Sequence, residues 1–154
     1  MADWQIRIDV GGTFADGWAL TPSGSQIRCK VLSSGVLRAS VVSIEDGWLV
    51  CDRPLSDHDR GLEGFLVDGA VITKSVPNLG KIKVKGQFQL GQIIELFSGE
   101  DASVVAARLL TGTAPGSDFP RADLRVATTR GTNALLERKG TPVDLYTTKG
   151  FGSL

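Results

Sequence analysis

The chain has 154 residues, 17 of them basic and 17 acidic, with one histidine and two cysteines; this suits one ordinary domain, or one carrying a small insert. Balanced charge gives no global field for nucleic acid or an anionic membrane surface, and no apolar run approaches the ~20 residues of a membrane helix. Without a Cys-x-x-Cys pair or a His/Cys cluster there is no zinc pattern, and two isolated cysteines suit reduced thiols in a soluble, cytoplasmic, globular, β-rich protein.

The N-terminus lacks the basic-then-apolar pattern of a secretory signal. Instead the alternation Trp4, Ile6, Ile8, Val10 reads as a strand running into Gly11-Gly12, and Phe14 to Leu20 reads as a second strand ending at the turn signal Pro22-Ser23-Gly24. Gly-Gly between alternating runs predicts a hairpin, the glycines supplying the positive φ of a tight turn. The plain reading is a surface hairpin closing a sheet edge. The flanking residues offer a second reading: Asp9 ends the first strand, Thr13 brings a hydroxyl, and glycine N–H groups can face an anion with no Cβ in the way. An acid, two glycines and a hydroxyl suit a nucleotide phosphate and its magnesium, the acid holding the metal through water.

Gln26 to Leu32 completes an antiparallel meander. Ile27, Cys29 and Val31 share one face of this strand, so Cys29 reads as a small core hydrophobe rather than a nucleophile.

From Ser33 to Phe97 short apolar runs recur: Val36 to Ile44, Trp48 to Cys51, Phe65 to Val67, Val71 to Val76, Ile82 to Val84 and Gln92 to Phe97. Asp-Gly and Lys-Gly signals divide them, which predicts a compact all-β module of five or six strands. Ile82-Lys83-Val84-Lys85 suits a sheet edge protected by charge, and Lys74, Lys81, Lys83 and Lys85 read as a solvated strand face, since no aromatics interleave them. His58 is the one histidine a Ser-His-Asp triad would have to use. Lying between Asp57 and Asp59 in a polar loop, it reads as a solvent-exposed residue rather than a switch or ligand.

At Ser98 the period turns helical. Ser98-Gly99-Glu100-Asp101 carries a capping-box pattern with Ser98 as N-cap, and Gly112 supplies the stop. Leu124 to Thr128 reads as a strand, the run after Thr129 as a short helix stopped by Gly140 and Pro142, and Val143 to Thr147 as a further strand, giving a βαβ-like unit with a parallel pair. The end at Leu154, after a loop and without a closing element, reads as that of a piece from a longer protein. Thr128, Thr129, Thr132 and Asn133 lie where strand gives way to helix, the kind of junction at which α/β folds bind ligands. Capping alone accounts for one hydroxyl there. Glu137, Arg138 and Lys139 read as a solvated face, the cations favoured near the helix C-terminus.

Asp9-Val10-Gly11-Gly12-Thr13-Phe14-Ala15-Asp16 and Thr128-Thr129-Arg130-Gly131-Thr132-Asn133-Ala134-Leu135-Leu136-Glu137-Arg138, taken together and in order, resemble the N-terminal region of the hydantoinase A/5-oxoprolinase family. That family shows Asp-x-Gly-Gly-Thr-Phe-Thr-Asp near its start and later a Thr-Thr-x-x-Thr-Asn-Ala-Leu-Leu-Glu-Arg run. A Thr-Lys-Gly-Phe segment follows in the family, as in Thr148-Lys149-Gly150-Phe151. The first motif alone is shared with other sugar-kinase, actin and chaperone-type ATPases. Two departures stand out. Ala15 replaces the usual threonine, removing a hydroxyl from the expected phosphate loop, and the β-rich stretch between the motifs is longer than expected.

The resemblance implies an α/β (α+β mixed) fold, a ribonuclease H-like/actin-like ATPase half-domain. It would comprise residues 1–35 and 98–154, with 36–97 an inserted small all-β module. It implies an ATP-dependent amidohydrolase opening a cyclic amide such as 5-oxoproline or a hydantoin, with ATP and magnesium as cofactors. Asp9 would be the catalytic, metal-holding residue, Gly11, Gly12, Thr13, Phe14 and Asp16 would bind the nucleotide, and Thr128, Thr129, Thr132 and Asn133 would face the cleft or substrate. The implied partners are the remainder of the polypeptide, a hydantoinase B-type subunit or domain, and the small cyclic amide. No nucleic acid or membrane is expected, and the isolated chain is expected to turn over little. The alternative is a non-catalytic scaffold module that binds a protein through its β insertion. A sugar-kinase-like phosphotransferase ranks last, because it predicts no Asn-Ala-Leu-Leu-Glu-Arg run.

Overall fold

A computed structural model describes residues 3–142, 144 and 146–150. The chain is a mixed α/β structure made mostly of strands in two sheets. Three strands open it as an antiparallel meander: β1 (Trp4–Val10), β2 (Phe14–Leu20) and β3 (Gln26–Leu32). Six more follow: β4 (Val36–Glu45), β5 (Trp48–Cys51), β6 (Leu66–Val67), β7 (Ala70–Val76), β8 (Lys81–Val84) and β9 (Ile93–Phe97). Then come α1 (Ala102–Thr111), β10 (Ala122–Thr128) and α2 (Arg130–Leu136).

The first sheet has the order β10-β1-β2-β3. β10 lies parallel to β1, Ile6 facing Leu124 and Val10 facing Thr128. β10 thus has β1 as its parallel partner on one side; the parallel pair that the sequence reading expected was with Val143 to Thr147. Val143 and Leu145 of that stretch lie outside the described residues, and Asp144, Tyr146 and Thr147 are not in a strand.

The two-residue period of the strands puts Ile6, Ile8, Val10, Ala15, Ala19 and Val31 on one buried face. Against it α1 presents Val105, Ala106, Leu109 and Leu110, all buried. Each larger side chain among them contributes about 1.5–3 kcal/mol when fully buried. Gly17 sets the spacing: a Cβ there would lie 2.6 Å from Cys29 Sγ and 3.0 Å from Leu110 Cδ1. Cys29 is accordingly core-facing, its thiol directed at the Ala106 carbonyl at 3.5 Å and pushed up to about 12 by burial.

The capping box at Ser98 does not form. Asp101 is the N-cap, without a side-chain cap bond, while Ser98 Oγ donates to Glu100 Oε2 at 3.1 Å. Glu100 is drawn instead to the buried Arg108, which donates from Nε at 2.6 Å and from Nη2 at 2.7 Å. Arg108 Nη1 also donates to the Ala114 carbonyl at 2.6 Å, and its guanidinium lies 4.6 Å from the Phe119 ring centroid. One side chain thus fixes the path from α1 towards β10. Gly112 ends the helix in the left-handed region at φ 63°, as expected.

The second sheet is a closed antiparallel barrel in the order β4-β5-β8-β7-β6-β9. Closure pairs β4 with β9 and leaves no free edge. The lysine-bearing β8 is therefore not the expected edge strand, since it pairs with β5 on one side and β7 on the other. Leu49, Phe65, Val67, Ile72, Ile82 and Leu96 are among its buried side chains.

His58 is not the solvent residue that its acidic neighbours suggest. Its Nε2 lies 2.8 Å from the Leu110 carbonyl. Since a carbonyl only accepts, the ring nitrogen donates there, at the carbonyl end of α1. A Cβ on Gly112 would lie 2.9 Å from the His58 ring, so glycine both ends the helix and admits the imidazole. No helix among the described residues is long and apolar enough to cross a membrane.

Candidate functional site

The turn joining β1 to β2 is built differently from the expected one. The Gly11 N–H donates to the Phe14 carbonyl at 2.9 Å, and Val10 then pairs with Ala15. Neither Gly11 nor Gly12 has positive φ, so the glycines are not there to bend the chain through the left-handed region. At Gly11 the constraint is space, whereas a Cβ on Gly12 would meet only ordinary van der Waals contact. A Cβ on Gly11 would lie 3.3 Å from the Phe14 carbonyl oxygen, and one on Gly12 would lie 3.5 Å from Asn133 Nδ2.

Gly11 therefore spends its N–H on the turn. The N–H groups of Gly12 and Thr13 have no hydrogen bond among the described residues and remain open to an anion. Ser33, just past β3, braces the turn from behind: its N–H donates to the Thr13 carbonyl at 2.9 Å and its Oγ to the Gly12 carbonyl at 2.8 Å. Sequence reasoning missed Ser33. Its signal was the meander itself, because pairing Phe14 with Leu32 puts the next residue opposite Thr13.

The end of β10 reaches the same corner. Thr128 pairs with Val10, the Thr129 N–H donates to the Val10 carbonyl at 3.3 Å, and α2 starts there. The Thr129 side chain makes no cap bond to the helix backbone; Asn133 Nδ2 donates to Thr129 Oγ1 at 3.4 Å. That bond carries the Asn133 amide to Gly12. Thr132 is exposed on α2, and no bond ties it to the glycine turn among the described residues. Below the corner lies a cavity of ≈ 160 Å³, lined by Val10, Val126 and Thr128 at the strand ends and by Asp101, Ala102 and Ser103 at the start of α1.

Asp9 and Asp16 face each other across β1 and β2 on the sheet face away from α1. Both are exposed, and Asp16 is paired with Lys30 at 3.0 Å. Lys30 Nζ also lies 4.7 Å from the centre of the Phe14 ring. Among the described residues no group of three or more His, Cys, Asp or Glu is placed to hold a metal. Magnesium at this corner would therefore take carboxylate oxygen from Asp9 and its remaining ligands from phosphate and water, an ordinary arrangement for that ion. Ala15 does not belong to the loop surface. It is fully buried against α1, so the hydroxyl that the resemblance expects at this position would point into the core and away from a phosphate.

The structure thus brings together Gly12, Thr13, Thr128, Thr129 and Asn133 at one corner, with Asp9 and Asp16 on the adjoining sheet face. No curated protein and no solved structure matches the chain. Residues 89–154 match the family model of the hydantoinase/oxoprolinase N-terminal region, and over that segment the chain is similar to this family.

Proposed function

We propose that this chain supplies the phosphate-facing corner of an ATP-dependent enzyme that opens cyclic amides such as lactams or hydantoins. The observation carrying the reading is the approach of Gly12 to Asn133, which joins the two sequence motifs at one place. A ring amide is a poor electrophile, and bound magnesium-ATP would supply the phosphoryl group that activates it. The chain's own part is positioning and charge neutralisation. Gly12 and Thr13 would direct backbone N–H groups at phosphate oxygens, Asp9 would hold magnesium, and Asp16, steadied by Lys30, would keep a second carboxylate on the same face. Phe14 flanks that face, while Thr128, Thr129 and Asn133 would orient the nucleotide or the substrate. Thr132 is the weakest member of the set, having no tie to the turn.

The sheet order supports an actin-like, ribonuclease H-like half-domain made of residues 1–35 and 98–154, with 36–97 inserted. An antiparallel meander whose first strand takes a parallel partner after a helix is the pattern that such a half-domain requires. The test is ATP hydrolysis by the gene product with a panel of lactams and hydantoins. Asp9→Asn is expected to abolish turnover with the circular dichroism unchanged. Full turnover in that variant would remove the metal role.

The scaffold reading draws on one observation. Val36, Phe97, Leu66 and Val71 follow one another across four neighbouring barrel strands, and Phe97 and Val71 are 42% and 51% exposed. Such an exterior apolar row suits protein contact. Under this reading Phe97→Asp dissociates a bound protein from the gene product and leaves ATP hydrolysis intact.

A further inference from the structure

The face of the first sheet opposite α1 carries a row of side chains that the nucleotide reading does not use. Register places Arg125 beside Arg7, Arg7 beside Trp18, and Trp18 beside Arg28, so three guanidiniums and an indole cross all four strands in line. A shallow concavity of ≈ 930 Å³ lies over them. Neighbouring strands are about 4.8 Å apart, and like charges directly opposite each other destabilise a sheet. Asp123 relieves part of this, holding Arg7 at 2.8 Å with Arg125 at 3.7 Å. Arg28 is exposed and forms no ion pair among the described residues.

We propose that this face docks an acidic peptide segment of another protein or domain, its carboxylates bridging Arg125, Arg7 and Arg28 and an apolar side chain lying on Trp18. Charge complementarity is the main argument: the row has more cations than the single carboxylate shared within it can match. Composition is the second. Arg and Trp are the residues enriched where protein interfaces concentrate their energy, and no Lys stands in the row. A nucleic-acid strand fits worse than a peptide, because the row holds a single indole and so offers no succession of aromatic platforms for stacked bases. This inference does not rest on the nucleotide reading.

The test titrates the isotope-labelled chain with the peptide Glu-Leu-Glu-Glu-Leu-Glu-Gly-Tyr, with its all-Gln counterpart, and with oligo-dT, following the Trp18 indole N–H by NMR. Trp18→Phe assigns that signal. The Glu peptide is expected to shift it with Kd below about 1 mM, while the Gln peptide binds at least about tenfold more weakly. Arg28→Gln with Arg125→Gln, both at exposed positions, should give a similar loss, with circular dichroism reporting an intact fold. Equal binding of the two peptides, no shift at about 1 mM, or tighter binding of oligo-dT than of the Glu peptide each overturns the proposal. The comparison of the two peptides on the unmodified chain decides the matter even if the double variant fails to fold.

Discussion

The side-chain amide of Asn133 lies 3.5 Å from where a Cβ on Gly12 would sit, so residues from opposite ends of the chain share one van der Waals contact distance. A carbon added at Gly12 would bring the two residues into ordinary van der Waals contact. Because Gly12 does not have positive φ, an alanine fits there without backbone strain.

Gly12→Ala is therefore expected to change stability by less than about 0.5 kcal/mol while, under the proposed nucleotide role, weakening magnesium-ATP binding by the gene product about tenfold, since a methyl would be added to the residue that offers its N–H to phosphate. Calorimetric titration beside thermal melting separates the two effects. Gly35→Ala is the contrast. Gly35 has φ 78°, and a Cβ there would lie 2.5 Å from the Glu100 carbonyl oxygen, so its loss should exceed about 2 kcal/mol.

Ala15→Thr restores the residue that the family resemblance expects. Here the position is fully buried beneath α1. The added hydroxyl and methyl should cost about 1–3 kcal/mol in urea unfolding and leave nucleotide affinity unchanged. A gain in affinity without loss of stability would show that position 15 serves the phosphate loop after all.

Glu100 and Arg108 should make stability depend on acid. Hydrogen bonds from Arg108 hold the Glu100 carboxyl below its usual range. Burial alone would raise Glu63, but bonds from Ser75 and Gly61 carry it below the usual value as well. A carboxylate whose folded value is depressed contributes stability that is complete above the unfolded value of about 4.3 and is lost as pH falls through the folded value. The urea midpoint should therefore hold from neutrality to about pH 5 and drop below it, and Glu100→Gln should flatten that drop. Arg108→Ala at neutral pH should cost about 3 kcal/mol, because it strands Glu100 and two loop carbonyls.

Neither cysteine should react while the chain is folded. Burial pushes the Cys29 thiol up to about 12 and the Cys51 thiol up to about 11, leaving almost no thiolate at neutral pH. A thiol reagent at pH 8 is expected to label neither in buffer and both in denaturant. Rapid labelling of Cys29 in the native chain would show that α1 lifts from the sheet.

The strands were legible because their signal is local. Period-two alternation over Trp4 to Val10 or Gln26 to Leu32, and Asp-Gly turns between later runs, depend only on neighbours in sequence. The glycine stop at Gly112 and the polar junction from Thr128 to Asn133 were local in the same sense. What failed was decided at a distance. Ser98 read as a cap until the fold started the helix after Asp101 and turned the Ser98 hydroxyl to Glu100, which Arg108, eight residues further on, also holds. His58 read as solvated until Leu110 turned a helix carbonyl towards it.

By itself the sequence determined most of the strands and the two helices, which of their faces are apolar, and where the two glycine- and threonine-bearing motifs stand. Only the tertiary structure decided that β4 closes onto β9, that β10 runs beside β1, and that Gly12 meets Asn133. Propensity and periodicity act over a few residues, whereas pairing partners are chosen by burial across the whole chain. The same sequence pattern is compatible with several such pairings until the core is filled.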